Sequence, residues 1–236
     1  MSLQQPGSAS IEQPDYWWYR ARSDLLRAAL AEHVGTPERL LDVGSADGPS
    51  VSWLSAPHHA TVDLDPRGLR PGAGVCASAL DLPFTDESFD LVCAFDVVEH
   101  CEPDSRVLAE FSRVLRPGGR LLLSVPAYQW AWSDHDVRAG HYRRYTKTRL
   151  VTAVEAAGYV VRRATYGFAG VFPMFVADRA RRRLRPTLGT QVELPSISSP
   201  LERILLGLSA VETRIMVRRN LPFGSSVFLA ADKPVS

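Results

Sequence analysis

Short, nearly unbroken apolar runs alternate along this chain with longer segments whose apolar residues recur at helical spacing. The first helical segment, from Tyr16 to about Val34, gathers Leu25, Leu26, Ala29 and Leu30 on one face and ends at Gly35-Thr36-Pro37. Apolar runs bounded by turn residues predict strands at 39–43, 60–63, 74–77, 89–95, 120–125, 159–166 and 226–231. Between them, Ser50 to Leu54 can begin a short helix. A longer helix over 104–115 follows a Pro-Asp cap and stops at Pro117-Gly118-Gly119, and another over 146–157 stops before Gly158.

Several of these strands are apolar on both faces, and they alternate with helices. That pattern predicts an α/β sandwich with a seven-stranded, mostly parallel sheet flanked by helices. Right-handed crossovers then bring the strand C-termini to one edge, where a ligand crevice is expected. About 55 residues separate the sixth and seventh strands, too many for a simple loop. They include Pro173, an arginine run at 179–185, a Pro/Ser stretch at 195–200 and a helical pattern of Leu201, Ile204, Leu205, Leu208 and Ile215. The expected organisation is a disordered leader over 1–15, a main domain over 16–168 and 223–236, and an inserted helical cap over 169–222.

Composition narrows the function classes. The chain has 236 residues, with 27 Lys+Arg against 26 Asp+Glu, a net charge of +1 that argues against a nucleic-acid partner. No apolar run approaches the ~18 residues of a spanning helix. The polar N-terminus lacks a signal-peptide pattern. Three cysteines without C-x-x-C spacing favour a reducing cytoplasm over disulfides or a Cys-rich zinc site.

The chemistry begins at Leu40-Leu41-Asp42-Val43-Gly44-Ser45-Ala46-Asp47-Gly48, which joins the first strand to a helix. Glycine lets such a turn approach a ligand closely, and a following helix N-terminus offers N–H groups to an anion. The spacing is not G-x-G-x-x-G, because Ala46 and Pro49 stand at the second and third glycine positions, and no G-x-x-x-x-G-K-[ST] occurs. The turn resembles the D/E-x-G-x-G-x-G motif of class I S-adenosylmethionine-dependent methyltransferases, with Ala46 where a glycine is usual. Val62-Asp63-Leu64-Asp65-Pro66 resembles the family's acidic second-strand end; Asp63 is the match and Asp65 the register alternative. A carboxylate there accepts hydrogen bonds from both ribose hydroxyls. Leu82-Pro83-Phe84-Thr85-Asp86-Glu87-Ser88-Phe89-Asp90, then Glu99-His100, then Arg113-Val114-Leu115-Arg116-Pro117-Gly118-Gly119 resemble further motifs of one large subfamily, in order and at family spacing. The resemblance covers residues 38–126 and implies a Rossmann-like sheet with S-adenosyl-L-methionine as cofactor. It implies cofactor contacts at Asp42, Gly44, Ser45, Ala46, Gly48, Asp63, Leu64, Ser78, Ala79, Leu80 and Phe95. Arg22, on the N-terminal helix beside Tyr16-Trp17-Trp18-Tyr19, could meet the cofactor carboxylate.

Past the fifth strand, Trp132-Ser133-Asp134-His135-Asp136, then His141-Tyr142-Arg143-Arg144-Tyr145, resembles a stretch found in a branch of these methyltransferases. It leaves the edge where the crevice is expected. An oxygen or nitrogen acceptor must lose a proton during methyl transfer, and histidine suits that near neutral pH. His135 and His141 are the candidate bases, with His100 third; the alternative is that they only fix the loop. Trp132, Asp136, Arg143, Arg144 and Tyr145 are candidate substrate contacts, against a reading of the arginines as a solvated pair or as partners of Asp134 and Asp136. Asp134, Asp136 and the histidines offer oxygen and nitrogen ligands that suit several divalent ions, but no recognised metal signature is present, so no metal is expected. Apolar residues from Phe168 to Val176 beside the arginine run fit peripheral contact with anionic lipid, or simply a charged helix face. The expected function is cytoplasmic methylation of a small molecule, at an oxygen of a hydrophobic or sugar-bearing acceptor, lipid-linked or amphipathic if the cap meets a membrane. The alternative is a cofactor-binding pseudoenzyme or partner subunit.

Overall fold

Seven strands form one sheet in the order β3-β2-β1-β4-β5-β7-β6. They are β1 (Arg39–Val43), β2 (His58–Asp63), β3 (Gly74–Cys76), β4 (Phe89–Phe95), β5 (Leu115–Pro126), β6 (Val160–Gly167) and β7 (Ser226–Asp232). This computed structural model describes residue 13 and residues 15–44, 48–69, 72, 74–184 and 197–235. Most of the expected leader therefore lies outside the described residues, as do Ser45, Ala46 and Arg185. Strands β1 to β5 pair in parallel, and β7 runs antiparallel between β5 and β6. The chain leaves β1 toward β2 and β3 on one side and returns through β4 and β5 on the other. The order thus reverses between β1 and β4, and a crevice forms beyond the C-terminal ends of those two strands.

Residue alternation sorts the central strands into two layers. Leu40, Leu91, Cys93, Phe95 and Leu122 pack with helix α1 (Trp17–Leu30). Leu41, Val43, Val92, Ala94, Leu121 and Leu123 pack on the opposite face with Val107, Leu108 and Phe111 of α3 (Asp104–Val114) and Leu150 and Val154 of α5 (Lys147–Ala156). The short helix after the first turn, α2, spans Gly48–Val51. One boundary differs from the sequence expectation. Strand β5 already begins at Leu115, paired with Phe89, and the Arg-Pro-Gly-Gly segment bulges before pairing resumes at Arg120 and Leu91.

Residues between β6 and β7 carry α6 (Phe172–Leu184) and α7 (Ser199–Met216). Helix α7 lies along α1, burying Leu205 and Met216. Buried Glu212 accepts hydrogen bonds from the N–H groups of Ala169 and Gly170, both at 2.9 Å, which pins α7 to the exit of β6. Ile204, Leu208, Val211 and Ile215 of α7 face outward. No helix among the described residues is long and apolar enough to cross a membrane.

Candidate functional site

At the end of β1 the chain turns through Gly44, whose φ of 78° and close approach to the Val97 side chain both exclude a Cβ. Its N–H donates to the Val62 carbonyl at 2.8 Å. The turn is thereby clamped between β2 and the loop after β4. Asp42, on β1 just before the turn, is buried with the Cys93 thiol 3.5 Å from its Oδ1, and burial together with Asp42 raises that thiol's pKa. Gly48 opens α2 just past the turn.

At the end of β2 the Oδ1 of Asp63 accepts the Asp65 N–H at 2.8 Å. Asp65 is held differently. It caps the next turn and binds Arg67 through both carboxylate oxygens, at 2.5–3.1 Å, and that guanidinium lowers its pKa. Asp65 is thus engaged by the Arg67 guanidinium. Leu64, between them, is 69% exposed, an apolar side chain standing at the edge. Ser78 Oγ accepts the Leu80 N–H at 3.1 Å, forming a turn in which Ala79 and Leu80 are half-buried. Phe95 packs instead into the core layer beneath α1. Arg22 is also turned inward: it pairs with Asp96 at 3.0 Å, donates to Ser124 Oγ at 2.8 Å and lies over the Trp18 ring. Asp96 adopts a left-handed φ of 57° immediately after β4, and its carboxylate also accepts the Ser124 hydroxyl. Its ion pair with Arg22 ties α1 to the ends of β4 and β5.

The stretch after β5 forms a short helix, α4 (Asp134–Ala139), which the strand and helix patterns did not predict. Its signal is nevertheless present: Ser133 with Asp136 three residues on, and Gly140 in the left-handed C-terminal position with φ 74°. Asp136 is the anchor of this region. It accepts Ser133 N–H at 2.9 Å, Ser133 Oγ at 3.2 Å, Arg144 Nε at 2.6 Å and Arg144 Nη2 at 3.1 Å, and its Oδ1 is 2.9 Å from His141 Nδ1. Burial alone would raise its pKa; the bonds to His141 and Arg144 hold it well below the carboxylate range instead. Arg143 pairs with Glu102 and Asp104 and donates to the Cys101 carbonyl. Tyr145 is fully buried, with its hydroxyl on Asp104 at 2.9 Å. Asp136, Arg143, Arg144 and Tyr145 therefore build the wall from within. Both arginines are buried rather than solvated: Arg144 is paired with buried Asp136, and Arg143 with half-buried Asp104 and exposed Glu102. Trp132 remains half-buried.

The three histidines singled out from sequence come together. The His141 ring sits edge-on to His100 at 4.5 Å and to His135 at 6.3 Å. Desolvation by the packed surroundings, then His141, pull the His100 pKa down to about 4, and desolvation also lowers that of His135, although both side chains reach solvent. Beside them lies Glu99, whose two carboxylate oxygens are enclosed with no hydrogen-bond partner among the described residues. Burial, and next the Asp96 charge, push its pKa well above the carboxylate range. Glu99 is a site residue the sequence reading did not select; a Glu-His pair after an apolar strand was the available signal. A second group it passed over is aromatic. Tyr128 stacks on Trp130 at 5.6 Å and on Tyr166 at 5.3 Å and meets Phe172, which stacks on Phe175. These rings join the exits of β5 and β6 to the start of α6.

A family model described as a methyltransferase domain matches residues 41–123. An uncharacterized methyltransferase of Mycolicibacterium gilvum is 30% identical over 184 residues, covering 64% of this chain and 71% of that relative. An uncharacterized methyltransferase of Mycobacterium marinum is 34% identical over 131 residues, 51% of each protein. The chain thus spans about half the length of the first mycobacterial relatives it matches. Among solved structures, the Haloferax volcanii complex between the Trm112 methyltransferase activator and the putative methyltransferase has a chain similar in fold. Its TM-score is 0.57 at 17% identity, over 96% of this chain and 93% of that one.

Proposed function

This chain belongs to the class I S-adenosylmethionine-dependent methyltransferases, and on that premise we propose that it methylates an oxygen of a small hydrophobic or sugar-bearing acceptor. The observation that carries this reading is the single sheet edge shared by two unlike groups. Gly44, Asp63 and exposed Leu64 end β1 and β2; the histidine cluster follows β4 and β5, next in the sheet.

The residues on the first side fit the cofactor. Gly44 admits close backbone approach, Asp63 supplies a carboxylate suited to paired ribose hydroxyls, and Leu64 with the Ser78–Leu80 turn offers an apolar surface suited to adenine. Bound there, S-adenosylmethionine supplies an electrophilic methyl on a sulfonium that departs as a neutral thioether. The chain's own work is then alignment and proton removal. One of the loop histidines, His135 or His141, takes the proton from the acceptor hydroxyl as the new O–C bond forms. The Asp136 carboxylate fixes the ring orientation of His141, as an orienting carboxylate does for a general base. The aromatic group around Tyr128 and Phe172 is suited to an apolar acceptor, with the start of α6 as its cover. Outward apolar residues such as Met174 and Ile204 support an amphipathic or lipid-linked acceptor.

Ligand that binds only folded protein raises its melting temperature. Ligand-free protein should therefore melt several degrees higher with millimolar S-adenosylmethionine or its demethylated product. Asp63→Ala should weaken that binding by about 10- to 100-fold, the loss of charged hydrogen bonds. An unchanged melting temperature in the wild type would refute the reading.

A further inference from the structure

Glu99, His100 and His141 bring one carboxylate and two imidazoles together, with ligand atoms all within 4.8 Å of one another. Donors held about 2.0–2.2 Å from one ion stand roughly 3–4 Å apart, so a small contraction closes the set. Glu99 is the second, independent observation. Its side chain is fully enclosed, yet both oxygens lack a partner among the described residues, an arrangement that a proton, a buried water or a cation can complete, and the two imidazoles beside it favour the cation. The surroundings are those of a metal site as well. His141 Nδ1 is bonded to Asp136, itself held by Arg144 and Ser133, which leaves the other ring nitrogen for coordination. The backbone of Gly140 and Ala139 bonds the His100 ring. Outer groups of this kind set the tautomer and direction of metal-binding histidines.

We propose that Glu99, His100 and His141 bind one divalent transition-metal ion. Two imidazoles and a carboxylate suit zinc, iron or cobalt, whereas magnesium and calcium favour all-oxygen sets. Three protein ligands leave open positions for water or an acceptor oxygen. An acceptor hydroxyl on the ion loses its proton more readily, and His135 is the histidine of the cluster left to take it. That use of the ion rests on the methyl-transfer reading; the site itself does not.

The test uses the full-length, tag-free protein stripped with chelator. Cobalt(II) is titrated while visible absorption is followed, and zinc affinity is measured by competition with a chromophoric chelator. One saturable equivalent is expected. Glu99→Gln and His141→Ala should each weaken zinc binding by about 100-fold or more, beyond what loss of an outer partner costs. His58→Ala, an exposed histidine at the start of β2, should leave it unchanged. If Glu99→Gln does not fold, His100→Ala, whose ring meets solvent, carries the same test. Absence of one-equivalent binding, or affinity unchanged in these variants, overturns the proposal. Melting with S-adenosylmethionine in the same samples separates the two readings. A cofactor shift without metal binding overturns the ion alone. Metal binding without a cofactor shift supports the ion and overturns methyl transfer.

Discussion

Asp136 and Glu99 are both fully buried carboxylates at the ligand edge of the sheet, and their surroundings have opposite consequences. Around Asp136, two arginine nitrogens, a histidine, a backbone N–H and a hydroxyl converge, so the charged form is favoured. Around Glu99 no side chain among the described residues donates, and burial, then the nearby Asp96 charge, outweigh the favourable fields of its own backbone and of Arg22 and Arg144. Equal burial thus gives a carboxylate pKa far below its ordinary value in one place and far above it in the other. Depth alone does not decide what a buried acid does; the count and sign of its partners do. The first region is built to hold the loop after β5, the second to receive something.

The contrast breaks most visibly at Asp136. Asp136→Ala leaves the Arg144 guanidinium buried without its carboxylate and frees the His141 ring. Removing one partner of such a pair costs about 3–5 kcal/mol. In a domain of this size that lowers the melting temperature by roughly 10 °C, read by thermal denaturation. A drop of less than about 3 °C would mean that Arg144 finds another partner and that the network is not the anchor described.

Glu99 should respond in the opposite direction. In chelated protein, Glu99→Met replaces two unsatisfied oxygens with an apolar chain of similar length, and stability should rise by about 1–2 kcal/mol. Urea unfolding reports this as a higher midpoint at unchanged slope. Added zinc should then stabilise the wild type and leave Glu99→Met where it was. A destabilised variant in chelated protein would show that the carboxylate has partners and would erase the contrast with Asp136.

These regions also differ in how far the sequence discloses them. The seven strands of a mostly parallel sheet, the Gly44 turn and the acidic end of β2 were legible because strands, turns and strand ends leave their signature in consecutive residues. The three histidines were legible as candidates one at a time. Their meeting was not, since about forty residues separate His100 from His141 and only the β4–β5 pairing brings them together. Arg143 and Arg144 read equally well as a solvated pair. Their burial depends on Glu102, Asp104 and Asp136, which lie on other elements or across a turn. Phe95 and Arg22 faced the core because strand alternation and the Asp96 pair direct them there. The isolation of Glu99 is a property of the folded state with no sequence signature at all.

The smallest effect should come from a third carboxylate, and it sharpens the same lesson on the cofactor side. Asp63 is the motif match and Asp65 its register alternative, just past the end of β2. Asp65 is engaged by Arg67 in an ion pair at the surface, with the arginine more than half exposed. Such a pair contributes about 0–1 kcal/mol, because water solvates both partners nearly as well when they separate. Asp65→Ala should therefore shift stability by no more than about 0.5 kcal/mol. Cofactor affinity should stay within about twofold, since a carboxylate already gripped by a guanidinium is a poor acceptor for ribose hydroxyls. Calorimetric titration of Asp63→Ala and Asp65→Ala side by side checks this. A large loss confined to Asp65→Ala would reverse the assignment, and would mean that Arg67 swings away from Asp65 when the cofactor binds.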